Sequence, residues 1–153
     1  ASNGSNARVV GALLAALTND QDDLVRSNAA YAMGQIFRCK VSDFSAAIDT
    51  LIHRLSPGVE PNNTEVALFP RSTVRQSIAY SLLQAASNHE FSYEQIEKLL
   101  ALTLEDDDRY VQGFAIEITR QNQNLSARSV DALLAALSRL RLSPSAPAVI
   151  SES

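Results

Sequence analysis

One apolar pattern recurs along this chain and restricts how the chain can fold. Four segments carry apolar residues at positions i, i+3, i+4 and i+7, with Thr103 replacing the last apolar residue of the third segment. These positions lie on one side of an α-helix, so each segment, here called an octet, predicts a helix with one face to bury. The octets start at Val10, Ile48, Ile96 and Val130, which are 38, 48 and 34 residues apart. Such a spacing is typical of stacked helix pairs.

A second helical pattern follows the first three octets. Counted from Val25, Val74 and Val111, apolar or small residues recur at the fourth, fifth and mostly the eighth position, again one side of a helix. Each valine lies 15 residues after the start of its octet in the first and third units, but 26 in the second, because of an 11-residue insertion. The two patterns predict helices at about 7–18, 23–38, 45–55, 72–87, 93–104, 108–122 and 127–141.

Several helix starts carry capping signals of their own. Ser92 followed by Gln95 forms a capping-box sequence, in which the serine and glutamine side chains bind backbone N–H groups of the first turn. The remaining expected N-terminal acceptors are Asp22 or Asp23, Asp107 or Asp108, and Ser72.

Composition narrows the class of protein. The 153 residues suffice for one domain, and no apolar run approaches the ~20 residues that a membrane-spanning helix needs. The net charge of −4 argues against a nucleic-acid binder, which would have a basic face. Cys39 is the single cysteine, so no internal disulfide forms and a reducing, cytoplasmic compartment is expected.

The turn and helix at residues 22–34 carry a family resemblance. The sequence Asp-Asp-Leu-Val-Arg-Ser-Asn-Ala-Ala-Tyr-Ala-Met-Gly after an octet resembles the HEAT repeat, particularly the HEAT-like repeats named after phycobilisome lyases. Residues 108–117 are similar, with Gln112 in place of the arginine, and the middle unit has Arg71 where the family has aspartate. Over residues 8–142 the resemblance implies an all-α fold, an α-solenoid of HEAT-like helical hairpins with about seven helices in a right-handed superhelix.

The repeats divide the chain into expected parts. Residues 1–7 are expected to be a linker or remnant of cloning, and residues 143–153 a flexible tail whose prolines cannot continue a helix. Between them we expect units at 8–38, 45–87 with the insertion at 56–71, and 92–122, then a terminal helix at 126–141. Because that last octet has no partner helix, we expect either self-association through it or a longer array from which this chain was cut.

The resemblance implies that the second helix of each pair lines the inner, concave wall. Positions three, six and ten after the aligned valines then form a polar patch across three helices. Side-chain amides and tyrosines suit contact with the backbone of an extended peptide. The alternative is that these residues are merely tolerated on exposed helices. The predicted partner-binding residues on this wall are Asn28, Tyr31, Gln35, Ser77, Tyr80, Gln84, Glu117 and Gln121.

The insertion is the second candidate contact. Its prolines and glycine make it non-helical, and Leu68 and Phe69 belong to an apolar cluster that should dock somewhere. These two side chains either bind a partner or pack over the ends of the repeats, and both interpretations remain open.

Candidate chemical sites are few. Arg26 and Arg75 are interpreted as residues that pair neighbouring units. The acidic residues of the turns, including 105–108, are interpreted as helix caps and a solvated edge, because the alternating spacing of a calcium loop is missing. Neither His53 nor His89 has a second ligand at metal-site spacing, and we interpret Cys39 as a small apolar residue that closes its helix.

Taken together, the patterns predict an intracellular scaffold or adaptor that binds a protein or peptide and has no catalytic activity, cofactor or metal. It is not expected to bind nucleic acid or membranes. Two alternatives stay open: a bilin lyase-type enzyme or lyase subunit, which shares the repeat, and a structural segment of a larger repeat array.

Overall fold

The computed structural model describes residues 2–39, 43–60 and 73–122, together with 130, 131, 134, 135 and 138. Over these residues the chain forms helices and no strand. Six helices lie where the two sequence patterns predict them, and the five described residues between 130 and 138 are helical as well. The helices are α1 (Ser2–Asn19), α2 (Asp23–Ile36), α3 (Ser45–Arg54), α4 (Val74–Ala86), α5 (Tyr93–Glu105) and α6 (Arg109–Gln121).

The helices pack as two layers. The octet helices α1, α3 and α5 form the A layer, and α2, α4 and α6 form the B layer. Each B-layer helix packs against its own octet helix, and α4 also packs against both α2 and α6. The predicted all-α architecture is therefore confirmed and is consistent with a HEAT-like α-solenoid. No helix within the described residues is both long and apolar enough to cross a membrane.

The octets supply much of the core. Leu17, Leu51, Ile96 and Leu99 are at most 1% exposed, and B-layer side chains such as Ile78 pack into the same cluster. Burying one such side chain fully contributes about 1.5–3 kcal/mol. Because neighbouring hairpins share this cluster, the apolar faces that the sequence pattern assigned to single helices are covered only in the stack.

Local capping explains where the helices begin. Asp22 and Asp108 accept hydrogen bonds from the first turns of α2 and α6, and Ser92 and Gln95 form the predicted capping box of α5. The expected role of Ser72 is wrong. Thr73 caps α4 instead, because its hydroxyl accepts from the N–H of Gln76 at 3.1 Å while the Gln76 side chain binds the Thr73 N–H.

The N-terminal helix begins earlier than the sequence pattern indicated. Helix α1 starts at Ser2, so residues 2–7 are helical, and the predicted start at about residue 7 is too late. Polar residues without a proline can extend a helix that the octet has already nucleated, because each added residue gains a backbone hydrogen bond.

The B layer contains one close approach between helices. Gly34 on α2 faces Ser81 on α4, and a Cβ atom built on Gly34 would lie 3.1 Å from the Ser81 Cα and 3.3 Å from its Oγ. Nearby, the hydroxyls of Ser27 and Ser77 are 2.6 Å apart and buried between the same two helices. Small residues therefore set the short distance between α2 and α4.

A buried carboxylate ties the insertion to the first two units. Glu60 has a fully buried side chain that accepts from Arg26 Nε at 2.8 Å and from Arg54 Nη2 at 2.5 Å. Arg26 also donates to the Asp20 carbonyl at 2.9 Å. Burial lowers the pKa of Arg26, but hydrogen bonds and charges from Glu60 and Asp23 outweigh it and raise the pKa above its usual value. The guanidinium therefore stays charged.

The same arrangement recurs one unit along. Arg75 donates to the Leu55 carbonyl at 2.6 Å and to Asp106 Oδ1 at 3.0 Å. Gln112, at the equivalent position of the third unit, donates to the Asp106 carbonyl. Each of these side chains binds the turn within its own hairpin. The two arginines also bind an acidic residue between the two helices of the following hairpin, which agrees with their predicted role in pairing neighbouring units. Asp106 is consequently buried (6% exposed), so the expectation of a solvated edge is wrong for this residue.

We predict that Gly34→Ala lowers the free energy of unfolding by about 1–2 kcal/mol, because the new methyl group meets the backbone of α4 and forces the helices apart. Urea denaturation followed by circular dichroism at 222 nm measures this change.

Gly113→Ala is the matched control. Gly113 is also within a helix, but nothing lies within 4 Å of the position that its Cβ atom would take. The alanine should therefore stabilise the protein by about 0.5–1 kcal/mol through helix propensity alone. Equal stabilisation by both substitutions would contradict the close approach at Gly34.

We also predict that Glu60→Gln destabilises the protein by about 3 kcal/mol, because the buried guanidinium of Arg26 and the partly buried one of Arg54 lose their shared carboxylate. The loss should appear in the same denaturation assay. Glu117→Gln removes an exposed carboxylate paired with Arg120, so its unfolding midpoint should stay close to that of the wild type. A small effect of Glu60→Gln, comparable to that of Glu117→Gln, would argue against the buried anchor.

Candidate functional site

The B layer brings most of the predicted binding residues onto one surface. Tyr31 on α2 stacks on Tyr80 on α4, with ring centroids 5.3 Å apart and planes 8° apart. Tyr80 in turn makes a T-shaped contact with Phe114 on α6, at a centroid distance of 6.5 Å. Three helices from three units thus share one line of rings. We call this surface the amide–aromatic row and define it as Asn28, Tyr31, Gln35, Tyr80, Gln84, Phe114, Glu117 and Gln121.

Exposure is uneven along the row. Tyr31 is 42% exposed, and Asn28 and Gln121 are exposed as well. Gln35, Tyr80 and the other members are half-buried, so they still present part of their side chains to solvent.

Ser77 is the predicted residue that does not belong to the row. It is 3% exposed, whereas its position three after the aligned valine predicted a surface residue. The correction has a simple cause: α2 and α4 approach so closely that the Ser77 hydroxyl pairs with Ser27 between them. Phe114, at the same position of α6, stays half-buried and supplies the third ring.

The α6 end of the row is already paired within the chain. Arg120 donates to Glu117 at 2.6 and 2.9 Å, and Gln121 Nε2 donates to the same carboxylate at 3.0 Å. Ser87 Oγ donates to Gln121 Oε1 at 3.1 Å. The hydrogen bonds from Arg120 and Gln121 lower the pKa of Glu117 to about 2. This end therefore carries a compensated ion pair near neutral pH.

The end formed by α2 and α4 has more unused hydrogen-bonding capacity. Gln35 Oε1 accepts from Arg38 at 3.4 Å, and neither N–H donor of the Gln35 amide takes part in that bond. Within the described part of the chain, the side chains of Asn28, Tyr31, Tyr80 and Gln84 form no hydrogen bond with another residue. Donors and aromatic surface are therefore available to a partner at this end.

Two further apolar residues of the B layer are exposed and were not among the predicted binding residues. Tyr110 is 71% exposed and Leu24 is 39% exposed. Both lie one residue before an aligned valine, at the start of α6 and α2 respectively. Their shared position in the repeat is the feature of the sequence that could have identified them.

The predicted second contact cannot be assigned to this surface. Leu68 and Phe69 lie outside the described residues. The described start of the insertion ends at Glu60, whose buried ion pairs fix its position beside Arg26 and Arg54.

His89 and Cys39 lie just after the ends of α4 and α2. His89 Nε2 lies 2.7 Å from the Phe37 carbonyl, and its ring meets Phe44 edge-on. Cys39 is exposed in the turn after α2, so the prediction that it closes the helix as an apolar residue is wrong. Among the described residues, no group of three His, Cys, Asp or Glu side chains is arranged to hold a metal ion.

Comparison with known protein families finds a match, which covers the first helical hairpin. The family described as HEAT repeat matches residues 9–39, which comprise most of α1 together with α2. No curated protein and no solved structure matches the chain. The closer resemblance to phycobilisome lyases therefore stays a prediction. HEAT repeats are generally scaffolds for protein interaction. Over its first helical hairpin the chain is thus similar to the HEAT-repeat family, and the described helices beyond it continue an all-α stack of the same kind.

Proposed function

We propose that this chain is a protein- or peptide-binding scaffold or adaptor that uses the amide–aromatic row and performs no catalysis. The observation that supports this most is the line of rings formed by Tyr31, Tyr80 and Phe114, which crosses three helices and stays partly open to solvent. Tyrosine offers flat contact area with a polar tip at low entropic cost, which makes it a common anchor in protein interfaces.

The side-chain amides complement these rings. Gln35, Gln84 and Gln121 occupy equivalent positions on α2, α4 and α6, and a primary amide can donate to and accept from a peptide backbone. Rigid helices hold these residues at a set spacing, so the backbone loses little conformational entropy when a partner binds. The mechanism is recognition by a preformed surface.

The other two interpretations of the sequence remain secondary. A bilin lyase-type activity can be examined directly by incubating the protein with a bilin and an apo-phycobiliprotein and looking for chromophore transfer. Observed transfer would replace the scaffold proposal with an enzymatic one. A purely structural segment of a repeat array would bind no partner through the row at all.

We expect the triple substitution of Gln35, Gln84 and Gln121 by alanine to reduce partner binding at least about tenfold, while far-ultraviolet circular dichroism keeps the wild-type helical signal. Partners captured by the wild type from its native source and identified by mass spectrometry are then titrated against the purified variant.

The control variant carries Glu94→Ala and Lys98→Ala on the exposed surface of α5, in the A layer. It should bind the captured partner as the wild type does. If the triple variant and this control bind with equal affinity, the row is not the binding surface.

A further inference from the structure

Helix α2 is open to solvent on a side that the other B-layer helices bury. Ser81, seven residues after the aligned valine of α4, faces α2 and is fully buried. Ala32 is the equivalent residue of α2 and is only half-buried. The aligned valines differ in the same way, because Val25 is 39% exposed whereas Val74 and Val111 are 4% and 2% exposed. The positions that α4 and α6 bury in the presence of a preceding unit are therefore open on α2.

The octet helix α1 is open on the same side. Gln95, one residue before the start of the third octet, is 4% exposed and donates to a carboxylate of α3 at 2.9 Å. Val9 is the equivalent residue of α1 and is 45% exposed. Leu13 is half-buried, whereas its equivalents Leu51 and Leu99 are at most 1% exposed. Both helices of the first hairpin thus leave apolar side chains in contact with water.

This open side is here called the leading face, and it consists of Val9, Leu13, Val25, Ala32 and Ile36. Ile36 belongs to it because it is half-buried, whereas its equivalent on α4, Ala85, is fully buried. Covering such a face removes apolar surface from water, which is favourable. Within the stack, the equivalent faces of the second and third hairpins pack against another helical hairpin. A helical hairpin is therefore the shape that fits the leading face.

Opposite charges lie at the two ends of the leading face. Asp20 and Asp22 lie in the turn that joins α1 to α2, whereas Arg8 in α1 and Arg38 just after α2 lie toward the other end of the hairpin. Arg8 and Asp20 form no ion pair with another described residue. The leading face therefore has an apolar centre, an acidic end and a basic end, which makes it complementary to a reversed copy of itself.

The third unit shows what Asp20 lacks. Asp20 and Asp106 each lie five residues before an aligned valine, and each carboxylate accepts the N–H of the residue two positions on at 2.9 Å. Their carbonyls accept from the equivalent side chains of Arg26 and Gln112. Asp106 also pairs with Arg75 of the preceding unit. Asp20 has the same local contacts without such an arginine, so a molecule that covers the leading face should supply one.

A second copy of this chain meets both requirements. A two-fold axis that lies in the leading face and runs across the helices places α1 antiparallel on α1 of the second copy, and α2 on α2. If Leu13 lies opposite Ala16 of the second copy, Asp20 comes beside Arg8 of that copy. The symmetry repeats this contact, so the dimer contains two such ion pairs around one apolar centre.

A head-to-tail contact between copies lacks the matching charge. In this arrangement the last hairpin of one copy would cover the leading face of the next, as one unit covers another within the stack. The residue of that hairpin at the arginine position is Gln112, which is uncharged and already binds the Asp106 carbonyl. Asp20 would receive no arginine from that position, so the two-fold arrangement is favoured.

We propose that the leading face binds the leading face of a second copy in a two-fold symmetric dimer, in which Arg8 of each copy pairs with Asp20 of the other. The proposal does not depend on the proposed function, because the leading face and the amide–aromatic row have no residue in common. It also differs from self-association through the last octet, which belongs to the other end of the chain.

The size of the leading face sets the expected strength of the dimer. Helices α1 and α2 have 18 and 14 residues, and each residue adds about 1.5 Å to the length of a helix that is about 10 Å wide. The two helices together then present roughly 20 by 25 Å to a second copy. Such an area is at the lower end for specific interfaces, so we expect a dissociation constant in the micromolar range.

The test is sedimentation equilibrium of the purified chain between about 1 and about 200 μM, where we expect a monomer–dimer equilibrium. Val25→Glu should weaken dimerisation at least about tenfold, because it places a carboxylate in the apolar centre. The matched control is Leu134→Glu, since Leu134 is 56% exposed in the terminal helical segment. It should change the dissociation constant less than about twofold. Circular dichroism checks that both variants are folded.

A charge swap tests the arrangement of the two copies. Arg8→Asp and Asp20→Arg should each weaken dimerisation about tenfold, because each places two like charges together at both symmetric contacts. The double variant should recover the affinity of the wild type to within about threefold. A role of Asp20 confined to its own turn would not be rescued by Arg8→Asp, so the recovery reports a contact between copies.

Each other outcome overturns a stated part of the proposal. A chain that stays monomeric up to about 200 μM overturns the dimer. Association that Leu134→Glu abolishes and Val25→Glu does not would place the contact at the terminal helix instead. Species that grow beyond a dimer with concentration would indicate head-to-tail assembly. Absence of recovery in the double variant overturns the antiparallel arrangement. None of these results bears on the binding of a partner to the amide–aromatic row, which the triple glutamine variant tests separately.

Discussion

The close contact between α2 and α4 is the constraint on which the candidate surface depends. Gly34 has no side chain to keep the helices apart, and Ser81 presents a small one. The resulting short distance buries the Ser27–Ser77 hydroxyl pair and brings the rings of Tyr31 and Tyr80 to 5.3 Å. A bulkier residue between the helices would separate the rings as well as the backbones, because both are carried by the same two rigid elements.

Charged contacts at the turns complement this packing. Arg26 and Arg75 each bind a carbonyl in the turn of their own hairpin and a buried acid in the next connection. A buried ion pair of this kind adds little net stability compared with apolar packing, but it strongly penalises arrangements that leave one charge unpaired. Such contacts therefore favour one register between neighbouring hairpins. Gln112, at the equivalent position, is a neutral amide and binds the Asp106 carbonyl in the turn of its own hairpin.

These two features have a consequence for binding. Contacts on the buried sides hold the B-layer helices in place, so the residues on the opposite sides are not needed for packing. Along that side the polarity changes from unused donors at α2 and α4 to a self-paired carboxylate and amide at α6. If the row binds an extended ligand as proposed, this asymmetry would orient the ligand, because its two ends would meet different chemistry.

Much of the fold followed from short-range patterns. The octets and the aligned valines predicted the positions of six helices, and the capping residues at Ser92, Asp22 and Asp108 agreed with them. Such features are decided by neighbours within one or two turns of chain. The predicted start of α1 and the predicted cap of α4 were wrong, because several neighbouring polar residues can begin a helix there equally well.

The candidate surface followed from the sequence only in part. Equal positions in the repeats indicated that Tyr31 and Tyr80 would be neighbours, which their stacked rings confirm. The exposure of the residue three positions after each aligned valine depends on the distance between helices. The short distance between α2 and α4 buries Ser77, whereas Phe114 stays half-buried beside Tyr80. The pairing of Arg26 with Glu60 joins residues 34 positions apart. The sequence by itself thus determined which helices form and which faces they bury, because those depend on local periodicity. Only the tertiary structure decided which polar groups are used up inside the stack and which stay free, because that depends on distances between helices far apart in the chain.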